Sequence, residues 1–280
     1  MSRRVRHILL LTLALLLAGP AAARAPKGWY AVEVIVFAWT DPAGRLSERW
    51  PDDPGLPPTA DAVEPEGLGP VPAGRPVAAL APEDATLAAE AWQRLERAGA
   101  VRPLVRAAWA QAPLAPDAAV AVRIHGGLPE APWLTPQAPA GAMPAFPPDG
   151  LAAPTPLDEQ AAGAGAPGAA QVAGDAGPYV PPEAVDGTVR VTLSRYLHVA
   201  VDLVYRGALP ERLTDPVTGT EVTRERRQTF RLSERRRVRV GEVHYFDHPA
   251  FGVLVQVRRA PCPPGARCGE GASARQEETR

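Results

Sequence analysis

The feature that most constrains this fold is an alternation of apolar and polar side chains over residues 189–205. The odd positions carry valine, leucine or tyrosine, and only Arg195 breaks the series, whereas the even positions are mostly polar. A period of two places successive side chains on opposite faces of a β-strand, with one face on a core and the other in water. The segment is therefore one bent strand, or two strands joined by a tight turn.

A second alternation, over residues 230–240, sets a row of arginines against an apolar face. Phe230, Leu232, Val238 and Val240 share the apolar face, and Arg231, Arg235, Arg237 and Arg239 share the other. Residues 251–257 form a strongly apolar final strand. Residues 186–259 contain 14 Arg against 9 Asp plus Glu, so this half is basic although the formal net charge of the whole chain is −1.

The N-terminal half supplies further elements. Residues 29–38 form a strand that is apolar on both faces except at Glu33. Such a strand lies centrally in a sheet covered by another layer, and we expect Glu33 to pair with an arginine of a neighbouring strand. Apolar residues at helical spacing predict a helix over residues 83–98. Residues 101–111 and 119–125 are predicted strands.

These elements predict an α+β fold: a mostly antiparallel sheet covered by one main helix, with long disordered insertions rich in proline and alanine. Nine of the 34 prolines lie in residues 51–82 and thirteen in residues 129–185, where too little apolar surface can be buried to offset chain entropy. The predicted regions are a signal peptide (1–25), a first strand region (26–50), a proline-rich connector (51–82), a helix with strands (83–128), a disordered insertion (129–185), a basic β-rich half of the same domain (186–259) and a tail (260–280).

Residues 1–25 have the features of a secretory signal peptide. Three arginines precede a ten-residue apolar run that is too short to span a bilayer comfortably. Small residues at the end of the segment allow cleavage after Ala23 or Ala25. We therefore expect a periplasmic protein with no transmembrane segment in its mature form. In that oxidising compartment Cys262 and Cys268 form a disulfide loop or remain as two unpaired thiols in the tail.

Several function classes find little support in the sequence. The near-zero net charge argues against wholesale nucleic-acid binding. The chain has no Gly-x-Ser-x-Gly, no Ser-x-x-Lys, no phosphate loop and no dinucleotide fingerprint, and neither cysteine is placed with a base. We therefore expect a protein that is not an enzyme and that uses no cofactor.

The segment around Asp247 has two interpretations. His244, Asp247 and His248 are potential zinc ligands, but the related His-x-x-Glu-His pattern needs a helix, and here strands and Pro249 flank the residues. The alternative is a structural turn formed by Asp247, His248 and Pro249, in which Asp247 accepts backbone hydrogen bonds and His248 locks the turn through its imidazole. We favour the turn.

The arginine row is the better candidate for a binding site. Four guanidinium groups on one strand face repel each other unless anions lie between them. Acidic residues of adjacent strands, such as Glu33 or Asp202, can supply that charge, or the face is solvated. Alternatively, the anion is a partner such as a peptidoglycan carboxylate, which suits the bidentate fork of arginine. Tyr196 and Tyr245 could stack on sugar rings. The candidate ligand-binding residues are Arg231, Arg235, Arg237, Arg239, Tyr196 and His198.

Four segments resemble a known family. They are the strand beginning Trp29-Tyr-x-Val-Glu-Val, the segment Leu104-Val-x-x-x-Trp-x-Gln, the tetrapeptide Tyr196-Leu-His-Val and, most specifically, the run over 235–255 containing Val-Gly-Glu-Val-His-Tyr-Phe-Asp-His-Pro-x-Phe-Gly. These segments are similar to the CsiV family of periplasmic proteins. The resemblance implies peptidoglycan binding and support of cell-wall synthesis and cell shape with an outer-membrane lipoprotein activator of a penicillin-binding protein. It implies no site residues.

Three hypotheses follow from the sequence. The first is an exported, non-enzymatic peptidoglycan-binding protein that uses the arginine face. The second is a periplasmic metal-dependent hydrolase that uses His244, Asp247 and His248. The third is a protein-interaction scaffold in which residues 129–185 act as a spacer. We favour the first, because the arginine row and the family resemblance both support it.

Overall fold

The computed structural model describes residues 28–65, 76–81, 84–112, 114–136, 179–215, 218–263 and 266. In this part of the chain strands predominate and helices are few. The elements are β1 (Trp29–Trp39), α1 (Ala43–Leu46), β2 (Val77–Ala79), α2 (Thr86–Ala98), β3 (Val101–Gln111), β4 (Ala121–Arg123), β5 (Val185–Leu193), β6 (Leu197–Thr214), β7 (Glu221–Arg237), β8 (Val243–Asp247) and β9 (Phe251–Ala260), with a short 3-10 turn at Ala131–Trp133. The predicted signal peptide and most of the predicted tail lie outside the described residues.

The strands form two antiparallel sheets that share one core. The first sheet has the order β2-β3-β1-β9-β8, and the second has the order β4-β5-β6-β7. The prediction of a mostly antiparallel fold is confirmed. The long alternation over residues 189–205 corresponds to β5 and β6, which pair as a hairpin. Of the two alternatives, two strands joined by a turn is therefore the correct one.

The core lies between the inner faces of the two sheets. Val34 and Val255 come from the first sheet, Val199 and Leu203 come from the second, and all four are fully buried in one hydrophobic cluster. Alternate residues of each strand enter this cluster, as the period of two requires. The sequence prediction treated a helix as the main cover of one sheet, whereas in the structure a second sheet covers the inner face of the first.

The opposite face of the first sheet is covered in part by α2. This helix contacts β3 and β1 and ends at Ala98, and the φ of +67° at the following Gly99 suits a left-handed C-cap. On this face Glu33 is fully buried and accepts a 2.7 Å hydrogen bond from Nη2 of Arg258 on β9. The expectation that Glu33 pairs with an arginine of a neighbouring strand is confirmed. No helix in the described ranges is long and apolar enough to span a bilayer.

The first proline-rich segment has a defined course where it is described. Trp50 packs edge-on against Phe230 of β7, and Nη1 of Arg231 donates a 3.1 Å hydrogen bond to the Pro54 carbonyl. Val63 then bridges to Val122 of β4, at the opposite edge of the second sheet. Residues 51–65 therefore cross the outer face of that sheet, and they form no helix and no strand beyond this bridge.

Three predicted boundaries differ from the structure. β2 lies inside the segment predicted as a connector, and β8, which was not predicted as a strand, ends at Asp247, the first residue of the predicted turn. The predicted disordered insertion, 129–185, begins with residues that pack on the second sheet, while residues 137–178 lie outside the described residues. Glu130 accepts hydrogen bonds from Arg45, from the Tyr205 hydroxyl and from the Ala208 amide. Proline content alone did not identify this half-buried acidic contact.

Candidate functional site

The outer face of the second sheet brings arginines of two strands into one row. In the register of β5, β6 and β7, Arg190 lies opposite Ala200, which lies opposite Arg235. The next row on the same face places Thr192, His198 and Arg237 side by side. Ala200, which is half-buried, lies between Arg190 and Arg235. Because its side chain is small, it leaves a shallow depression between the two arginines.

An aromatic ring borders these rows. The Arg237 guanidinium lies over the ring of Tyr196, with Cζ 3.5 Å from the ring centroid, and Arg195 approaches the same ring at 5.4 Å. Tyr196 belongs to the turn between β5 and β6, and its carbonyl accepts a 3.1 Å hydrogen bond from Nδ1 of His198. We call the surface formed by the following residues the cationic patch: Arg190, Arg195, Tyr196, His198, Arg235 and Arg237.

The cationic patch carries unbalanced positive charge. Its four arginines are exposed, and none of them forms an ion pair with any residue that the structure describes. The nearest acid along β7, Glu234, points to the other face of the strand and pairs with Arg236. Exposed guanidinium groups held in adjacent rows repel each other, so an anion bound between them is stabilising.

Arg231 is on the same strand face but is already paired. Its Nε and Nη2 each donate a 2.9 Å hydrogen bond to one oxygen of Asp202 on β6. The hydrogen bonds to Asp202 raise the pKa of Arg231. Asp202 thus supplies one of the acidic partners considered above, and it neutralises this end of the arginine row.

Arg239 lies beyond the end of β7. Its guanidinium is 3.4 Å from a carboxylate oxygen of Glu242, and both side chains are exposed. Its backbone amide donates a 3.0 Å hydrogen bond to Nε2 of His244. The structure therefore groups Arg235, Arg237, Tyr196 and His198 in the cationic patch and places Arg231 and Arg239 on either side of it.

The predicted turn lies at the end of β8, and residues 248–250 connect β8 to β9. The Asp247 carboxylate accepts a hydrogen bond from the Tyr245 hydroxyl, and Nδ1 of His248 accepts one of 3.0 Å from the Ala250 amide. The His248 ring packs among Trp50, Phe230 and Phe251. Burial lowers the pKa of His248 to about 4, although the charge of Asp247 opposes that shift. The imidazole is thus neutral at physiological pH and holds the turn.

The potential zinc ligands do not converge. His244 and Asp247 lie three positions apart on β8, so their side chains point to opposite faces of the strand. Nε2 of His244 and Nδ1 of His248 each accept a backbone hydrogen bond. Within the described ranges, no group of three His, Cys, Asp or Glu side chains is arranged to hold a metal ion.

Two residues of the cationic patch, Arg190 and Arg195, were not among the residues predicted from the sequence. The alternation over residues 189–205 puts Arg190 on the polar face, and Arg195 is the position that breaks the pattern. Their proximity to Arg235 and Arg237 depends on the register of three strands, which no local pattern contains.

Cys262, near the end of β9, is disulfide-bonded, and the only other cysteine, Cys268, lies outside the described residues.

Comparisons with known proteins agree with the family resemblance. A family model described as "Peptidoglycan-binding protein, CsiV" matches residues 8–260, which include every described strand. No curated protein and no solved structure matches the chain. The residues that form the two sheets, the cationic patch and the β8–β9 connection all lie within the matched range. This protein therefore belongs to the CsiV family of peptidoglycan-binding proteins.

Proposed function

We propose that this protein binds peptidoglycan through the cationic patch, as a non-enzymatic component of the periplasm. The single observation that carries the site assignment is the pair of adjacent rows in which Arg190, Arg235 and Arg237 face outward without acidic partners among the described residues. The stem peptides of peptidoglycan carry carboxylates, which guanidinium groups bind in a bidentate manner. Family membership supports the choice of ligand.

Tyr196 gives the patch a second kind of contact. Its side chain is 38% exposed, and Arg237 holds the ring against the surface. A tyrosine ring fixed in this way offers an apolar face on which a sugar ring can stack next to a carboxylate bound by the arginines. A ligand that has both a peptide carboxylate and a sugar therefore fits the patch better than a simple anion.

Catalysis is not part of the proposal. Among the described residues, the histidine hydrogen bonds go to carboxylates, to a backbone carbonyl and to backbone amides, and none joins a histidine to a serine, threonine or cysteine. Activation of a side-chain nucleophile usually requires such a pair. The cationic patch itself contains no carboxylate that could act as a general base.

A sacculus pull-down tests the site. We would compare the mature protein with a triple variant, Arg190→Gln, Arg235→Gln and Arg237→Gln, and with a control triple variant, Arg49→Gln, Arg212→Gln and Arg224→Gln. The control removes the same charge from exposed arginines outside the patch. We expect the patch variant to lose sacculus binding and the control to retain it. Equal losses in the two variants would mean that net charge, not the site, determines binding.

We further propose that the protein supports cell-wall synthesis through an outer-membrane lipoprotein activator of a penicillin-binding protein. Family membership supports this proposal. Co-purification of the lipoprotein with the wild-type protein, in the absence of sacculi, is the expected result. If the two proteins meet only when sacculi are present, the lipoprotein is a neighbour on the polymer and not a partner.

A further inference from the structure

A cleft separates the end of β1 from the β8–β9 connection, away from the cationic patch. Its volume is about 340 Å³, and it is lined by Trp39, Asp41, Gly44, Asp247, His248 and Pro249. The Trp39 amide donates a 3.1 Å hydrogen bond to the Ala250 carbonyl, which fixes one wall against the other. A Cβ atom on Gly44 would lie 2.8 Å from the Pro249 carbonyl oxygen, so the walls approach closely below the opening.

His248 contributes an unused hydrogen-bond donor to this cleft. The residue is 7% exposed, and its Nδ1 accepts the Ala250 amide proton, so the neutral ring carries its own proton on Nε2. Nε2 has no hydrogen-bond partner among the described residues. Because His248 lines the cleft, Nε2–H is the donor that it can offer to a ligand there.

Two carboxylates supply acceptors on opposite walls. Oδ1 of Asp41 accepts a 2.9 Å hydrogen bond from the Ala43 amide, and Oδ1 of Asp247 accepts one from the Tyr245 hydroxyl. These contacts orient the side chains and leave Oδ2 of each carboxylate open, and both residues are exposed. The cleft thus carries two negative charges, which disfavour an anionic ligand and favour groups that donate hydrogen bonds.

The Trp39 ring, which lines the cleft, is held in place by two further aromatic rings. The Trp39 ring packs edge-on against Phe37 at a centroid distance of 5.5 Å, and Phe37 stacks with Tyr245 at 6.1 Å. Gly252 makes this row possible, because a Cβ atom there would lie 2.5 Å from the Phe37 ring and 2.6 Å from the Tyr245 ring. Packed rings of this kind keep a constant position and suit the apolar face of a sugar.

We infer that this cleft holds an uncharged, N-acetylated sugar ring of the glycan strand. Trp39 provides a stacking surface, the two carboxylates accept hydrogen bonds from hydroxyl and amide groups, and Nε2–H of His248 donates to a hydroxyl or carbonyl oxygen. The inference deepens the proposed function and rests on it. In this arrangement the cationic patch binds the charged stem peptide and the sugar beside it, and the anionic cleft binds a further, neutral sugar of the glycan.

The test uses the linear tetramer of N-acetylglucosamine, which has the sugar chemistry but no stem peptide. We would titrate it into the full mature protein and follow the protein by NMR or by tryptophan fluorescence. The double variant Asp41→Asn, Asp247→Asn keeps the oxygens that accept from Ala43 and Tyr245 but places an amide donor where the open acceptor was. The double variant Asp61→Asn, Asp117→Asn removes two exposed carboxylates elsewhere and serves as the control.

We expect the tetramer to bind the wild-type protein and the control equally and to bind the cleft variant roughly tenfold more weakly, as loss of about 1.4 kcal/mol of hydrogen bonding implies. A Trp39→Leu variant should also weaken binding. Absence of tetramer binding by the wild-type protein, or equal binding by all variants, overturns the inference. If sacculus binding still depends on Arg235 and Arg237, the proposed function stands without the inference about the cleft. If the wild-type protein does not bind sacculi at all, both the proposed function and the inference fail.

Discussion

The Arg237 guanidinium lies over the Tyr196 ring, with Cζ 3.5 Å from the ring centroid. The two residues come from β7 and from the β5–β6 turn, so the contact joins the hairpin turn to the neighbouring strand. This contact orders Arg237 and Tyr196, two residues of the cationic patch, before any ligand binds. Ordering in advance reduces the entropy that binding must overcome.

Tyr196 substitutions should separate the stacking contribution from the hydroxyl group. We expect Tyr196→Phe to bind sacculi like the wild type and Tyr196→Ala to bind about threefold more weakly, since without the ring the Arg237 side chain must be immobilised on binding, at a cost of about 0.5–1.5 kcal/mol. Sacculus pull-down at several protein concentrations measures the change. Wild-type binding by Tyr196→Ala would show that the ring is not part of the binding surface.

Substitution of Arg231 should affect stability more than that of Arg235. Arg231→Gln breaks a bidentate pair with Asp202 and removes a hydrogen bond to the Pro54 carbonyl, so we expect a loss on the order of 1 kcal/mol in the free energy of unfolding. Arg235→Gln should leave that free energy unchanged, because Arg235 forms no ion pair with any described residue. Urea denaturation of the two variants measures the difference, and equal stabilities would contradict the assigned pairing.

Removal of the Glu130 charge should be strongly destabilising. Glu130 is the acid that faces Arg45, whose side chain is 5% exposed, and it also accepts a hydrogen bond from the Tyr205 hydroxyl. Although burial opposes it, the hydrogen bonds from Arg45 and Tyr205 lower the pKa of Glu130. We expect Glu130→Gln to cost about 3 kcal/mol, because it leaves a buried guanidinium without a counter-charge. Thermal unfolding measures the loss, with the exposed Glu225→Gln as the control.

Stability should fall as the pH drops through the range set by His248. Its pKa in the folded protein is about 4, below the ordinary value of 6.5, so between these values the unfolded chain binds more protons. The contribution of neutral His248 to the free energy of unfolding is complete above pH 6.5 and is lost as the pH falls to about 4. In total it is about 3 kcal/mol.

The variant His248→Asn is the control for this pH dependence, because its side-chain oxygen can still accept from the Ala250 amide but does not titrate. Denaturation between pH 6.5 and 5 should show a falling stability for the wild type and a flatter profile for the variant. Parallel profiles would assign the pH dependence to other groups. His125 does not disturb the comparison. Burial lowers its pKa, but hydrogen bonding and charge from Glu183 and the charge of Glu64 outweigh burial and raise the pKa above its ordinary value. The contribution of His125 to the free energy of unfolding therefore changes mainly above pH 6.5.

The sequence predicted the strands well where side chains alternate over many residues. β3 spans residues 101–111 as expected, and the alternation over 189–205 is the β5–β6 hairpin. β8 was not predicted as a strand, because its five residues lie between a glycine and a histidine–proline turn, and such a short segment has little periodicity. The second sheet was not predicted as a separate layer, since alternation identifies a buried face but not what covers it.

The candidate site was predicted in part. The alternation placed Arg235 and Arg237 on one face, but it could not distinguish them from Arg231, whose partner Asp202 is 29 positions away and is brought close only by strand register. Glu130 could not be recognised as an anchor, because a single acid in a proline-rich segment has no local signature. Pairing across strands is a property of the assembled sheets and not of any short segment.

The course of residues 51–65 determines what shape of ligand the protein can accept. Because this segment lies across the outer face of the second sheet, that face is not a continuous trough along which a long polymer could lie. At one end of the sheet the rows around Arg190 and Arg235 are open, and at the other end the exposed residues 211–214 of β6 and 221–225 of β7 lie open as well. A protein with this surface contacts a long polymer at separate points rather than along one continuous groove.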